Sequence, residues 1–215
     1  MVKRFYDTQA RTYEVTRRPF LWGRKKVIEE LVIRKGETAV EFGCGTGWNL
    51  KFLLRKVGAT GRVVGIDVSE GMLLEAKKRA FPSNVDLLFQ DATDHICVGR
   101  KANVVLFSYS ITCMRDYRRA LENAIMVLAE QGRIGIVDFC TNPAHPFLSR
   151  LLLAHGMKYT CDFSISPLGY LEDNGFVVEL KKQFFGFGYR AVATKQPSLL
   201  PPSPSPQPFP AIPSS

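Results

Sequence analysis

At 215 residues with 46% hydrophobic side chains, the chain is long enough for one well-buried α/β domain and too short for two substantial ones. Its 29 lysines and arginines against 20 aspartates and glutamates give a formal net charge of +9, which suits nucleic acid, an anionic membrane or an acidic small substrate without choosing among them. Five cysteines, at positions 44, 97, 113, 140 and 161, lack C-x-x-C spacing and fit neither a zinc site nor a disulfide framework. Reduced thiols in a cytosolic protein and no metal are therefore expected. No secretory segment opens the chain and no apolar run reaches the roughly 20 residues that cross a bilayer, so any membrane contact is expected to be peripheral.

In chain order, Phe5-Tyr6-Asp7 to Glu14 is polar with regularly placed aromatics, and Pro19 suits the first turn of a second helix. There Phe20, Leu21, Val27, Ile28, Leu31 and Val32 recur at spacings of three, four and seven while Lys25, Lys26, Glu29 and Glu30 face away. This amphipathic helix either packs on a sheet edge or also meets an anionic lipid surface.

Ala39-Val40-Glu41-Phe42-Gly43-Cys44-Gly45-Thr46-Gly47 follows, a short apolar run closing on an acid and three alternating glycines. It reads as a buried strand turning sharply into a helix with bare backbone at the turn. A dinucleotide fingerprint would place its third glycine where Trp48 stands, and Glu41 would repel a phosphate and suit an ammonium. A turn that is merely tight is the competing reading.

Asn49 to Val57 has helical spacing and is ended by Gly58 and Gly61. Arg62 to Asp67 is a β-branched strand ending in an acid, placed where a carboxylate grips a ribose diol. Ser69 N-caps a helix running to Ala80. Val85–Gln90 and Asn103–Phe107 are the third and fourth strands, ending at Asp91-Ala92 and Ser108-Tyr109-Ser110. Tyr117–Ala129 is a helix stopped by Gly132, and Arg133–Phe139 a fifth strand. Phe176–Val178 and Tyr189–Thr194 close the sheet as an antiparallel edge, and the Pro/Ser-rich residues 197–215 are expected to stay disordered. The expected fold class is α/β: a doubly wound, mostly parallel, seven-stranded Rossmann-like sheet with an antiparallel edge strand and N-terminal amphipathic helices. Residues 1–35 would form helices facing substrate or membrane, and 36–196 the ligand-binding domain.

The glycine turn together with Asp67 resembles the first two motifs of class I S-adenosylmethionine-dependent methyltransferases. That resemblance implies S-adenosylmethionine as cofactor. It implies contacts from Glu41, Gly43, Gly45, Gly47, Asn49, Asp67, Val68, Met72, Asp91, Ala92 and Ser108, with Met72 over the adenine and Asp91-Ala92 at its edge. Methyl transfer is an in-line displacement needing alignment in a dry site rather than a metal. Tyr13, Tyr109 and Ser108 are the catalytic candidates, and Tyr6, Tyr13, Tyr109 and Tyr189 offer rings to a methylated ammonium. His145 and His155 are expected to be structural.

Methylases of exocyclic base amines carry Asn or Asp and Pro-Pro-aromatic after the fourth strand, and quinone C-methyltransferases a glycine-arginine-asparagine cluster. Ser108-Tyr109-Ser110 is neither, so nucleic acid is not expected as partner. Tyr6-Asp7 through Tyr13-Glu14, Arg17-Arg18-Pro19-Phe20-Leu21-Trp22-Gly23-Arg24, Gly47-Trp48-Asn49-Leu50 and Ser108-Tyr109-Ser110-Ile111-Thr112 are similar to bacterial betaine-lipid N-methyltransferases and the related phosphatidylethanolamine N-methyltransferases. This implies N-methylation of a lipid headgroup amine, with headgroup recognition between Asn142 and Pro167. Tyr6, Arg17, Arg18, Arg24, Lys25, Lys26 and Tyr189 would meet substrate or an anionic inner-membrane surface. Methylation of a small soluble or quinone-like acceptor, or cofactor binding without turnover, are the alternatives.

Overall fold

β1 (Thr38–Phe42) is buried along its whole length, and its side chains alternate between two apolar layers. Ala39 packs into one layer with Val27, Ile28, Leu31, Leu50 and Leu53, whereas Val40 and Phe42 enter the other with Leu121, Ala124 and Leu171. Such alternation forces helices onto both faces of the sheet. The structure is a computed structural model describing residues 2–10, 12–13, 21–140 and 161–195. Arg17, Arg18, Pro19, His145, His155, most of the segment from Asn142 to Pro167, and the tail from 197 lie outside the described residues.

After α1 (Val2–Gln9) and α2 (Arg24–Glu30), β1 leads to α3 (Leu50–Val57), β2 (Arg62–Asp67), α4 (Glu70–Lys77), β3 (Val85–Phe89) and β4 (Ala102–Ser108). Then come a 3-10 turn at Ile111–Cys113, α5 (Tyr117–Val127), β5 (Leu128–Phe139), α6 (Pro167–Asp173), β6 (Phe176–Gln183) and β7 (Gly188–Lys195). The seven strands lie in the order β3-β2-β1-β4-β5-β7-β6. The first five pair in parallel, and the expected antiparallel closure is made by β7, which runs against both β5 and β6. The strand order reverses between β1 and β4, and a crevice opens there at the carboxyl ends of the strands.

Local chemistry sets most element ends. Ser69 caps α4 as its spacing predicts, its hydroxyl accepting from Met72 N at 3.2 Å, and Gly58 ends α3 at φ 71°. Pro19 lies outside the described residues, and the helix that carries Val27 and Ile28 begins at Arg24, because Gly23 takes a left-handed φ of 78° immediately before it. The predicted end of α5 at Ala129 also moves. Leu128 is already extended and pairs with Ala102, and a Cβ on Gly132 would meet Leu128 Cγ at 2.5 Å, so the chain turns two residues early.

Cys113 and Cys161 are joined as a disulfide across 48 residues. This corrects the expectation of reduced thiols throughout: the partners are distant in sequence and meet only because the Ile111–Cys113 turn and the start of α6 share one sheet end. Cys44, Cys97 and Cys140 are free. Thiol titration of the denatured protein should count three groups before reduction, and five without reductant would contradict the pairing.

Candidate active site

β1 ends in a hairpin of backbone that two carboxylates hold. Gly43 N and Cys44 N donate to Ile66 O at 2.8 and 2.9 Å, and Asp67 Oδ2 accepts from Gly45 N at 2.7 Å. Asp67 Oδ1 accepts from Ser69 N at 2.8 Å, so one side chain at the end of β2 fixes both the glycine turn and the start of α4. Burial pushes the Asp67 pKa up, opposed by those amides. Glu41 is buried, with Oε1 accepting from Asn49 Nδ2 at 2.6 Å and Oε2 without a partner. Burial raises its pKa from 4.5 to about 8.

A cavity of about 640 Å³ opens beside this turn, within the ordinary range of small-molecule sites. Glu41, Gly43, Gly45, Asn49, Asp67, Val68, Met72, Asp91, Ala92 and Ser108 all line it, as the sequence reading expects of cofactor contacts. Gly43 is required by packing, since a Cβ there would lie 2.6 Å from Ser110 Cβ. Gly45 differs: at φ 54° a Cβ would meet nothing within 4 Å, so bare backbone faces open space. Gly45→Val should therefore cost about 1–3 kcal/mol of stability for a β-branched residue in the left-handed backbone and weaken cofactor binding at least about tenfold; unchanged affinity by calorimetry would place the ligand elsewhere. Gly47 needs correction as a contact. It does not line the cavity, and its bare Cα lets Phe81 and Ala76 approach to 3.1 and 3.2 Å of where a Cβ would sit.

The other half of the cavity is aromatic. Tyr6 and Tyr13 stand edge to face with ring centres 6.0 Å apart, joined by Leu21, Tyr109, Cys113 and Met114. Tyr6 Oη lies 3.4 Å from Cys113 Sγ, and α1 is held over the cavity by Asp7, whose Oδ1 accepts from Ser69 Oγ at 2.6 Å and Gly71 N at 3.1 Å. Ser108 Oγ is buried without a partner at this wall. Tyr109 holds φ 55°, and its hydroxyl donates to Trp22 O at 2.5 Å. Burial pushes the Tyr109 pKa far up, and the hydroxyl of this catalytic candidate is committed to Trp22 O.

Two expected surface residues prove buried. Tyr189 lies inside the α5-side core, packed with Ala191 and Ala193 from the same strand face, and is absent from the cavity. Arg24 is 8% exposed and lines the cavity, its guanidinium 4.0 Å above the Trp48 ring. Lys25 stays outside the cavity, over the Phe52 ring at 5.0 Å. Sequence reasoning missed Asp7, Trp48, Met114 and the buried place of Arg24. No local sequence signal marks the last of these, because Arg24 and the half-buried Trp48 meet only in the fold.

Two acids and bare backbone on one wall repel a pyrophosphate and accept a cation with a ribose, and the orphan Glu41 Oε2 is a ready acceptor for an ammonium. These residues fit S-adenosylmethionine. Residues 39–132 match the family model of the methyltransferase domain. Residues 39–132 thus carry a methyltransferase domain, on the fold of the S-adenosylmethionine-dependent methyltransferases. The demethylmenaquinone methyltransferase of Staphylococcus aureus is 35% identical over 127 residues, which are 58% of this chain and 51% of that enzyme. This methyltransferase chain thus matches about half the length of that relative. Among solved structures, a chain of the complex between the Haloferax volcanii Trm112 methyltransferase activator and its methyltransferase superposes with a TM-score of 0.74 at 16% identity, covering 90% of this chain and 97% of that one. A SAM-dependent methyltransferase from Aquifex aeolicus superposes at 0.65 with 20% identity, covering 87% and 97%. Both share the fold. No helix among the described residues is long and apolar enough to cross a membrane.

Proposed function

We propose that this methyltransferase acts on a flat, apolar, quinone-like acceptor, the alternative that the sequence reading kept, rather than on a lipid headgroup amine. The observation that carries this reading is the acceptor wall of Tyr6, Tyr13, Leu21, Tyr109, Cys113 and Met114. Ring faces and a thioether suit a planar apolar ring. The likeness to demethylmenaquinone methyltransferase supports it, although Ser108-Tyr109-Ser110 stands where a glycine-arginine-asparagine cluster was expected of quinone enzymes.

When bound, S-adenosylmethionine supplies a sulfonium methyl group for in-line displacement. The protein's part is holding and drying. Glu41 Oε2, which has no partner, would accept the ammonium of the methionine end, Asp67 the ribose hydroxyls, and Met72, only 2% exposed, would cover the adenine side. Ser108 Oγ is placed to hydrogen-bond an acceptor hydroxyl, while α1, latched by Asp7, keeps water from the reacting carbon.

A second reading, methylation of a lipid headgroup amine, is favoured by one feature. The Tyr6–Tyr13 pair, with Tyr109 beside the same cavity, offers ring faces to a methylated ammonium. Methyl-labelled cofactor incubated with a naphthoquinol and, separately, with extracted aminolipids decides between them. Label in the ring-methylated quinol is the expected result, and label confined to the headgroup lipids overturns it.

A further inference from the structure

Two large hydrophobic side chains stand in solvent at the sheet end where the cavity opens. Trp22 is 58% exposed and Phe185 90% exposed. They belong to one surface: Gln183, two residues before Phe185, donates from Nε2 to Trp22 O at 3.3 Å, and a Cβ on Gly23 would run into the Gln183 carboxamide. Phe185 is moreover held at φ 52°, a backbone conformation unfavourable for an aromatic residue. A ring held in a left-handed conformation and 90% exposed at the tip of the β6–β7 turn points to a role at the surface.

Beside these rings lies a flank of cations arranged on aromatic faces. Lys25 and Lys51 each lie 5.0 Å from the Phe52 ring centre, and Arg55 lies 5.7 Å from it one turn further along α3. Lys182, exposed near the end of β6, adds a further charge on the Phe185 side. Lys25, Arg55 and Lys182 form no ion pair among the described residues. The whole chain carries an excess of nine positive charges.

We infer that this rim, with Trp22 and Phe185 as insertion points and Lys25 and Lys182 as the charged collar, docks the cavity mouth on an anionic lipid surface. Tryptophan and phenylalanine settle at the boundary between headgroups and acyl chains, and neighbouring lysines are drawn to anionic headgroups. A nucleic acid is the competing occupant that the DNA arms of the test address. The inference does not depend on which acceptor is methylated, and its test reads binding rather than turnover.

The test is sedimentation of the full chain with vesicles of phosphatidylcholine alone or with about one-third phosphatidylglycerol, at low and high salt, with duplex and single-stranded DNA as competitors. Binding should require the anionic lipid and weaken with salt. Lys25→Glu and Lys182→Glu should each lower vesicle affinity about fivefold. The double variant Trp22→Ser, Phe185→Ser should lower it at least about tenfold while S-adenosylhomocysteine affinity is unchanged, since neither side chain lines the cavity. In the unaltered protein, brominated acyl chains should quench tryptophan emission, a readout independent of how any variant folds. Binding that ignores lipid charge, absence of binding, absence of quenching, or displacement by DNA at concentrations below the lipid's would each overturn the inference.

Discussion

Replacing Asp67 by alanine should weaken S-adenosylhomocysteine binding at least about a hundredfold and lower folding stability by about 2 kcal/mol. The carboxylate accepts from Gly45 N at 2.7 Å and from Ser69 N at 2.8 Å, joining positions 22 residues apart. Its removal orphans both amides beside the cavity, where entering water restores part of the loss. The ligand loses more, because a ribose diol that meets a carboxylate makes charge-assisted hydrogen bonds that alanine cannot replace. Asp67→Asn separates the two effects. The amide keeps the volume and an acceptor, so stability should stay within about 1 kcal/mol of the parent while affinity still falls about tenfold or more. Calorimetry and thermal unfolding of the two variants read these outcomes. An Asp67→Ala protein that binds as tightly as the parent would remove the carboxylate from the cofactor site.

The second large effect belongs to Glu41 and is a pH effect. Burial raises its pKa from 4.5 to about 8, against the lowering influence of Asn49 and Arg24. A carboxyl raised in this way contributes stability that is fully present below about 4.5 and is lost as pH rises through about 8, because only the unfolded chain ionises freely in that window. The loss amounts to a few kcal/mol at most. An ammonium beside Oε2 reverses the preference, so cofactor binding near neutral pH should release a proton and tighten up to about tenfold per pH unit until pH approaches 8. Glu41→Gln keeps the bond from Asn49 and cannot ionise. It should be at least as stable as the parent at pH 8, bind S-adenosylhomocysteine about tenfold or more weakly there, and show a flat pH profile. Calorimetry in buffers of different ionisation enthalpy counts the proton directly. Equal pH slopes for parent and variant would show that Glu41 does not face the ligand's charge.

Elements governed by local chemistry were legible in the sequence. The apolar run of β1, the acid closing β2, the Ser69 cap and the glycine turn each express a requirement satisfied within a few residues, and the fold followed from their order. Long-range pairings carried no such signal. Asp7 meets Ser69 across 62 residues, and Cys113 meets Cys161 across 48. The sequence reading assigned Arg24 to substrate or an anionic surface, and its flat guanidinium lies on Trp48 at the cavity wall. Tyr189 failed for a different reason. β7 has a strand on either side, so its aromatic residue belongs to the core although the segment reads as an edge. The acceptor wall was the least legible part, being assembled from the N-terminal segment, the end of β4 and the turn before α5, whose sequences share no pattern.

Titration of S-adenosylhomocysteine into the full chain, followed by calorimetry near neutral pH, tests the central claim most directly. The account predicts saturable micromolar binding at one site per chain, accompanied by proton release and abolished by Asp67→Ala. Absence of saturable heat with the folded protein, or binding indifferent to both Asp67 and Glu41, would contradict it.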